Sequence, residues 1–347
     1  MTELPFASLV VPIRNEIKFL DKLIDSLLNQ DYPRDKMEVI FVDGESDDGT
    51  YERLLELTRN YAFIKVLKNP YRTTPFGMNI GVKASKGEYI LMINAHSTYP
   101  TDYVRKNIEY ALKSGADNVG GILRTIPAND SKKARAIAIA LSSPFGVGNS
   151  YYRIGVSEPK YVDVVPNGCY KREVFEKIGF YDEDLTRAQD FEFNARLIKS
   201  GGKILLVPEI CSYYYAREDL KKLSRMMFYY GYFKVLASLK LRRIFTIRQI
   251  IPPLFVIYLV FTFLGSLFSR FLFVLFIGAL LFHLLAGLIF GMMAEPGDIQ
   301  VLLRLPFVFL VMHISYGAGY LAGVMDFVLR KKHLKEKDKL LMIPTAR

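Results

Sequence analysis

Acidic and small residues gather where one apolar run of the sequence ends, and their types suit nucleotide binding. Asp43 closes the run at 39–43 and precedes a turn rich in glycine, serine and aspartate, residues 44–50. A carboxylate at the carboxyl end of a strand can accept from a base N–H group or a ribose hydroxyl. The turn then brings backbone N–H groups and a helix N-terminus near phosphate. Capping of the next helix by Ser46 or Asp47 is the alternative, but it does not account for Asp43 at a strand end.

The elements around this block alternate as in a parallel α/β sheet. Apolar runs predict four strands, at 7–13, 39–43, 63–67 and 89–94. Amphipathic stretches between them predict three helices, at 16–29, 50–60 and 75–84. Such alternation indicates right-handed crossovers and a mostly parallel sheet. Ligands of these sheets bind beyond the carboxyl ends of the strands, where Asp43 lies.

Composition favours a membrane partner over nucleic acid. The 347 residues exceed what one compact core usually holds, so we expect two structural regions. Lys and Arg total 46 against 35 Asp and Glu, and the net charge of +11 suggests an anionic partner. However, 51% hydrophobic residues are unusual for a soluble nucleic-acid binder. The cysteines, Cys169 and Cys211, lie far apart, which argues against a disulfide framework or a zinc site.

Three apolar segments near the C-terminus predict a membrane region. Residues 250–268, 271–293 and 305–325 contain no Asp, Glu, Lys or Arg. Each approaches or exceeds the ~18–20 residues that cross a hydrocarbon core. Buried helices of a soluble core are the alternative, but such helices normally show a polar stripe.

The charge distribution predicts a cytoplasmic catalytic side but leaves the number of crossings open. Residues 217–248 are rich in Lys and Arg, against only Glu218 and Asp219, and residues 1–13 do not resemble a signal peptide, so we expect the N-terminal region in the cytosol. The tail, residues 330–347, is also basic, and three full crossings would place it outside. Either one segment does not cross or the tail is an exception. The Pro252–Pro253 start makes 250–268 the segment expected to lie in the interface.

Several blocks in chain order resemble the family-two glycosyltransferases, which have the GT-A fold. They are V-P-x-x-N-E at 11–16, S-L-L-N-Q-D-Y-P at 26–33, V-D-G-E-S-D-D-G-T at 42–50, and the stretches 84–90 and 174–183. Residues 94–100, 143–150 and 313–320 resemble a narrower branch that includes the succinoglycan glucosyltransferases, which extend a sugar on undecaprenyl diphosphate. The resemblance implies a GT-A domain at 1–216, and the charge and apolar patterns predict a basic amphipathic interface helix at 217–249, transmembrane helices at 250–329 and a basic tail at 330–347.

The resemblance also implies a donor site and a metal site. The residues that would border the donor nucleotide are Pro12, Arg14, Glu16, Asp43, Ser46 and Asn94. The family's Asp-x-Asp metal motif aligns with Asn94-Ala95-His96, which is a departure because neither Asn94 nor His96 is anionic. Imidazole suits Mn²⁺ better than Mg²⁺. His96 would ligate the metal with Asn94, donate to the diphosphate as a cation, or be an ordinary turn residue.

The block 187–196 corresponds to the family's Glu-Asp block, with Gln189 in place of the glutamate and Asp190 kept. The resemblance makes Asp190 the general base of an inverting transfer, which accepts the proton of the attacking acceptor hydroxyl. The alternative is that Asp190 and Glu192 are helix-start acids that favour the helix dipole.

The same comparison implies an acceptor site at Asn167, Gly168, Gln189 and Arg225. Asn167-Gly168-Cys169-Tyr170 follows a strand-like run at 162–165, and Cys169 is expected to pack rather than to act as a nucleophile. Arg225 falls where membrane-bound relatives place a Gln-x-x-Arg-Trp motif, yet this chain has no Trp. Phe228 or Tyr229 would then serve as the stacking platform, or the aromatic and basic residues form an interfacial anchor.

Together these features predict an inverting transfer, assisted by Mn²⁺ or Mg²⁺, from a UDP-sugar to a polyprenyl-diphosphate-linked saccharide at the membrane. The expected partners are the nucleotide-sugar donor, the lipid-linked acceptor and the membrane, and not nucleic acid. Three alternatives stay open at this point: transfer to bare polyprenyl phosphate, a processive synthase, and a membrane-tethered scaffold of weakened activity, which the Asn94-x-His96 substitution would favour.

Overall fold

The computed structural model describes residues 3–242, 247–295 and 297–332, which form two compact units. Of the described residues, the first unit comprises those up to Arg124 together with Gly155–Tyr214, and the second comprises Thr125–Ile154 and those from Tyr215 to residue 332. Of the predicted tail at 330–347, residues 333–347 lie outside the described residues.

The first half of the first unit is the predicted parallel sheet. Its elements are β1 Ala7–Ile13, α1 Ile17–Leu28, β2 Met37–Asp43, α2 Thr50–Thr58, β3 Ile64–Lys68, α3 Thr74–Ala84 and β4 Tyr89–Met92. β2 and β4 are buried along their whole length, and β1 is buried except at one residue, as expected for strands covered on both faces. Strand β1 pairs in parallel with β2 on one side and β4 on the other, with Val10 opposite both Ile40 and Met92. The strand and helix predictions for this half are confirmed.

The second half of this unit departs from the parallel pattern. It contains β5 Ser97–Thr98, α4 Tyr103–Ser114, β6 Asn118–Ile126, β7 Lys160–Tyr161, β8 Cys169–Lys171, α8 Arg172–Ile178, α9 Gln189–Lys199 and β9 Ile204–Tyr215. The sheet order is β3-β2-β1-β4-β8-β6-β9-β5, with β7 beside β9, and β8 pairs antiparallel with both β4 and β6. The strand predicted at 162–165 is wrong. Pairing with β9 ends at Tyr161, and the next strand begins at Cys169.

One face of the sheet is covered by α1 and α4. The buried residues of α1, namely Leu20, Leu23, Ile24 and Leu27, recur at helical spacing and join the core between helix and sheet. The bodies of β1, β2 and β4 also contribute residues to this core.

The second unit is helical. It contains α5 Lys132–Ala140, α6 Pro144–Val147, α7 Tyr151–Ile154, α10 Leu220–Leu241, α11 Ile247–Ser266, α12 Arg270–Ala294, α13 Ile299–Leu302 and α14 Leu305–Gly323, which continues as a π-helical turn, Val324–Leu329. Small residues let α10 and α14 approach closely. A Cβ added to Gly319 would lie 1.9 Å from the carbonyl oxygen of Phe228, and one added to Gly231 would lie 2.1 Å from that of Tyr316. This accounts for the glycine at position 319.

Within the described part of the chain, two helices are long and apolar enough to cross a membrane, Arg270–Ala294 and Ile299–Leu329, and Gln249–Gly265 is a shorter apolar helix. In α12 only 11% of the most apolar stretch is buried, whereas a core helix of a soluble protein would be largely covered. Exposed aromatic residues such as Phe261, Phe268 and Phe282 line α11, α12 and their connection. The two candidate spans and this exposure fit contact with lipid.

Candidate active site

Three polar loops meet at the carboxyl edge of the parallel strands. Because β1 lies between β2 and β4, the segments that follow these strands, residues 14–16, 44–49 and 93–96, leave the sheet side by side. The predicted donor residues therefore come from three distant parts of the sequence to one edge.

Asn15 fastens the first two of these loops together. Its backbone N–H donates to the hydroxyl of Ser46 (3.0 Å), its amide donates to Asp47 (2.9 Å), and its amide oxygen accepts from the Asp47 backbone N–H (2.9 Å). Asn15 adopts a left-handed conformation, φ 56°, which asparagine tolerates better than most residues. Our site prediction omitted Asn15. Its position within the V-P-x-x-N-E block was the available signal.

Asp43 ends β2 as predicted, but its side chain is buried. One carboxylate oxygen accepts from the Ser46 hydroxyl and the other from the Ser46 backbone N–H. Each carboxylate oxygen can accept more than one hydrogen bond, so a ligand hydroxyl or base N–H group can add to this pair. Ser46 thus holds the loop and Asp43 in one arrangement.

Arg14 provides a cationic group at this edge. Its Nε atom is buried and has no hydrogen-bond partner. Burial lowers the pKa of Arg14, and nearby Arg72 lowers it further, while Asp47 and other carboxylates act in the opposite direction. A Cβ added to Gly44 would lie 3.3 Å from Cβ and Cδ of Arg14, so the glycine leaves room for the stem of this side chain. A guanidinium N–H without a protein partner suits an anionic oxygen such as that of a phosphate.

Pro12 lies against the start of α3 and is partly exposed. A Cβ added to Gly77 would lie 3.0 Å from the Pro12 ring, so this glycine allows the helix to approach β1.

His96 pairs with Glu16 at the same edge. His96 Nε2 lies 2.8 Å from Glu16 Oε1, and the edge of its ring meets Phe19 at a centroid distance of 5.6 Å. Asn94 is exposed, and its amide oxygen accepts from the His96 backbone N–H at 2.8 Å. The structure therefore brings Glu16, Asn94 and His96 together, a grouping that sequence spacing did not reveal.

The chemistry of these groups bears on the predicted divalent ion. Among residues 3–242, 247–295 and 297–332, no set of three His, Cys, Asp or Glu side chains could by itself enclose a metal. Mg²⁺ and similar ions, however, are commonly held by one or two protein carboxylates together with substrate phosphates. Glu16 Oε2 is a buried carboxylate oxygen without a hydrogen-bond partner. The residues present thus fit an ion shared with a bound diphosphate.

Asp190 and Glu192 occupy different environments in α9. Asp190 is partly exposed in the first turn, which follows Ala188 in a left-handed conformation, and one of its oxygens accepts from the Phe191 backbone N–H. Glu192 is 4% exposed and pairs with Arg196 at 2.6 Å. Arg196 also donates to the carbonyl oxygens of Ile178 and Phe180. Glu192 is thus committed to the packing of α9, and Asp190 presents the accessible carboxylate.

The predicted acceptor floor lies between β4, β6 and α9. Gly168 accepts from the Met92 backbone N–H (2.9 Å), and a Cβ added to it would meet the Asn118 amide oxygen at 2.4 Å. Asn118 in turn donates to Asn194 of α9 at 2.9 Å. These two asparagines, which the sequence analysis did not identify, tie the helix of Asp190 to the floor.

The other residues predicted to border the acceptor are Asn167, Gln189 and Arg225. Asn167 has a φ of 49° and donates to Ser212 at 3.2 Å, and Gln189 is the partly exposed first residue of α9. Arg225 belongs to α10 in the second unit, where its guanidinium carbon lies 5.9 Å from the centroid of the Tyr229 ring.

Cys169 is buried, and burial raises the pKa of its thiol, which fits a packing role.

Comparison with known proteins gives three concordant findings. The sequence model of the family described as Glycosyl transferase family 2 matches residues 8–179. The chain is 32% identical over 234 residues to a Methanococcus voltae protein named dolichyl N-acetyl-alpha-D-glucosaminyl phosphate 3-beta-D-2,3-diacetamido-2,3-dideoxy-beta-D-glucuronosyltransferase, covering 65% of this chain and 72% of the relative. It is 31% identical over 246 residues to the succinoglycan biosynthesis protein ExoA of Rhizobium meliloti, covering 70% and 73%.

Among solved structures, the mannosyltransferase PcManGT of Pyrobaculum calidifontis, in complex with GDP-Man and Mn²⁺, matches 94% of this chain and 88% of its own. The TM-score is 0.61 at 18% identity, which is a likeness of fold.

Proposed function

The chain belongs to glycosyl transferase family 2, is a glycosyltransferase and has the GT-A type of fold, and from this premise we propose that it transfers a sugar from a nucleotide sugar to a lipid-linked saccharide. One observation carries the donor side of the proposal. Arg14, Asp43 and the Glu16–His96 pair converge at the carboxyl edge of β1, β2 and β4. The Methanococcus relative is named for a lipid-phosphate-linked sugar acceptor, which supports a lipid-linked acceptor here.

In this proposal the donor is a UDP-sugar, and its two halves bind different groups. Asp43 accepts hydrogen bonds from the nucleoside, and Ser46 keeps that carboxylate in place. Arg14 donates to the diphosphate through the Nε–H that lacks a protein partner. Pro12 and Asn94 border the same space.

Asp190 would act as the general base of an inverting transfer. Its carboxylate accepts the proton of the acceptor hydroxyl while the hydroxyl oxygen attacks the anomeric carbon. The bond from that carbon to the diphosphate breaks on the opposite face. The partial exposure of Asp190 and the ion pair that commits Glu192 support this choice. Gln189, Asn167 and Gly168 would border the acceptor sugar, and Arg225 the lipid-linked diphosphate.

A divalent ion, Mn²⁺ or Mg²⁺, belongs to the proposal, with Asn94 and His96 as the motif residues beside it. When bound, it would neutralise charge that develops on the departing diphosphate.

We propose further that the protein is a multi-pass protein of the cell membrane with its catalytic domain in the cytoplasm. Two contacts within the second unit orient the helices. Lys132 and Arg135 of α5 pair with Asp298 after α12, at 2.6 and 3.0 Å. Too few residues separate β6 from α5 to cross a membrane, so α5, and with it Asp298, would be on the cytoplasmic side of the membrane. Phe268, at the other end of α12, would then lie outside the cell, and in this arrangement α11 crosses the membrane instead of lying in the interface as expected from its two prolines.

Cysteine labelling tests this orientation in a Cys211→Ser background. Gln300→Cys should react with a membrane-impermeant thiol reagent only after cells are permeabilised, and Phe268→Cys should react in intact cells. Labelling of both positions from the same side would refute the arrangement.

Donor binding is tested by the melting temperature of the full chain in detergent. A nucleotide that binds only the folded protein stabilises it by about 2.7 kcal/mol at a concentration 100 times its Kd. UDP or its sugars should raise the melting temperature, and transfer should then require a primed lipid. Transfer to bare polyprenyl phosphate would support the simpler lipid-phosphate reaction instead. No response to any nucleotide, with or without Mn²⁺, would refute the proposed function.

A further inference from the structure

The segment that follows β4 lacks the negative charge that a hard divalent ion requires. Asn94 and His96 occupy the two ends of this segment, and the Asn94 amide oxygen already accepts from the backbone of His96. Mg²⁺ and Mn²⁺ favour anionic oxygen ligands. Besides the oxygens of the diphosphate, any anionic ligand that the protein itself supplies would therefore come from a different element.

The neighbouring strand supplies such a group. Strands β1 and β4 are adjacent and parallel, and the Ile93 backbone N–H donates to the Val10 carbonyl oxygen at 2.9 Å. Their continuations leave the sheet together, which brings Glu16 Oε1 within 2.8 Å of His96 Nε2. Glu16 thus reaches the position of the metal motif from a strand that is distant in sequence.

The second oxygen of Glu16 is unsatisfied. Glu16 is 6% exposed, and its Oε2 atom has no hydrogen-bond partner. Burying a carboxylate oxygen without a partner is unfavourable unless a ligand or an ion compensates.

The backbone of Glu16 is also held firmly. Its N–H donates to the Thr50 hydroxyl at 2.8 Å, and its carbonyl oxygen accepts from Phe19 and Leu20 in the first turn of α1. His96 fixes the side chain at the other end. A carboxylate that pairs with an imidazole through one oxygen and has no partner on the other is oriented in advance to bind a metal ion.

We propose that Glu16 Oε2 is the protein's anionic ligand for the divalent ion that accompanies the donor diphosphate, and that His96 orients Glu16. This inference rests on the proposed function. In this proposal the carboxylate that binds the metal ion follows β1, whereas in the family motif it follows β4. The loss of both carboxylates at 94 and 96 is then compensated rather than inactivating.

Mn²⁺ binding to the full chain in detergent tests the inference, read as the loss of the electron paramagnetic resonance signal of free Mn²⁺ in the presence of UDP. Glu16→Gln keeps the shape and removes the charge, so Mn²⁺ affinity should fall by at least about tenfold. UDP affinity measured by calorimetry without metal should fall by clearly less than the Mn²⁺ affinity. Glu56→Gln removes an equal charge from an exposed position on α2 and should leave both affinities unchanged.

A double variant guards against a purely structural effect. Glu16→Gln with Asn94→Asp restores an anion at the motif position and should recover Mn²⁺ affinity at least in part. If Glu16→Gln binds Mn²⁺ like the wild type, or loses metal-free UDP affinity to the same extent, Glu16 is not the metal ligand. If the wild type binds no nucleoside diphosphate at all, the proposed function itself fails, which is a distinct result.

Discussion

Replacing Asp190 should lower turnover with little effect on stability, and replacing Glu192 should lower stability with little effect on turnover. Asp190→Asn keeps the size of the side chain and removes the base, so turnover should fall by roughly 10²–10⁴-fold, the usual contribution of a positioned general base. At about 1.36 kcal/mol for each factor of ten, this corresponds to roughly 2.7–5.4 kcal/mol of transition-state free energy. The melting temperature should change little, because Asp190 is partly exposed and its protein contact is local.

Glu192→Gln should show the reverse pattern. Glu192 is 4% exposed and pairs with Arg196 at 2.6 Å, but Arg196 retains its bonds to the carbonyl oxygens of Ile178 and Phe180. The cost should therefore be about 1–3 kcal/mol, below the roughly 3–5 kcal/mol expected when a buried charge is left alone. This predicts a melting temperature lower by about 2–4 °C per kcal/mol.

The assay combines nucleotide release on a lipid-linked acceptor with thermal melting, both on the full chain in detergent. If Asp190→Asn keeps near-normal turnover while Glu192→Gln is folded and inactive, the two roles are reversed. If both variants turn over normally, the inverting-base mechanism is wrong.

Three further predictions address the donor site, the helix packing and the buried thiol. Asp43→Ala should weaken UDP binding at least about tenfold, or 1.4 kcal/mol, by calorimetry, and unchanged affinity for both UDP and GDP would contradict its role. Gly319→Ala places a Cβ 1.9 Å from the Phe228 carbonyl oxygen and should cost about 1–3 kcal/mol in detergent, whereas Gly278→Ala meets nothing within 4 Å and should be tolerated; equal melting temperatures would refute the packing argument. Cys169 should resist a maleimide at pH 7 because burial raises its thiol pKa, and mass spectrometry showing labelling as fast as in the unfolded chain would contradict this.

The sequence by itself determined the elements whose signals are local. The apolar runs that become β1, β2 and β4 are recognisable because a strand buried on both faces must be apolar along its length. The three long apolar segments became α11, α12 and α14 for a similarly local reason. Asp43 was identifiable because a carboxylate stands out where such a run ends.

Only the tertiary structure decided which polar groups meet. The link from Asn15 to Ser46 and Asp47, and the pair of Glu16 with His96, join residues that are far apart in sequence. They meet because parallel strands place their carboxyl ends at one edge, and neither strand order nor side-chain direction is encoded in local spacing. The same limit applies to α9. Two carboxylates two positions apart look alike in sequence, and only the packing of Arg196 beside Glu192 distinguishes it from Asp190.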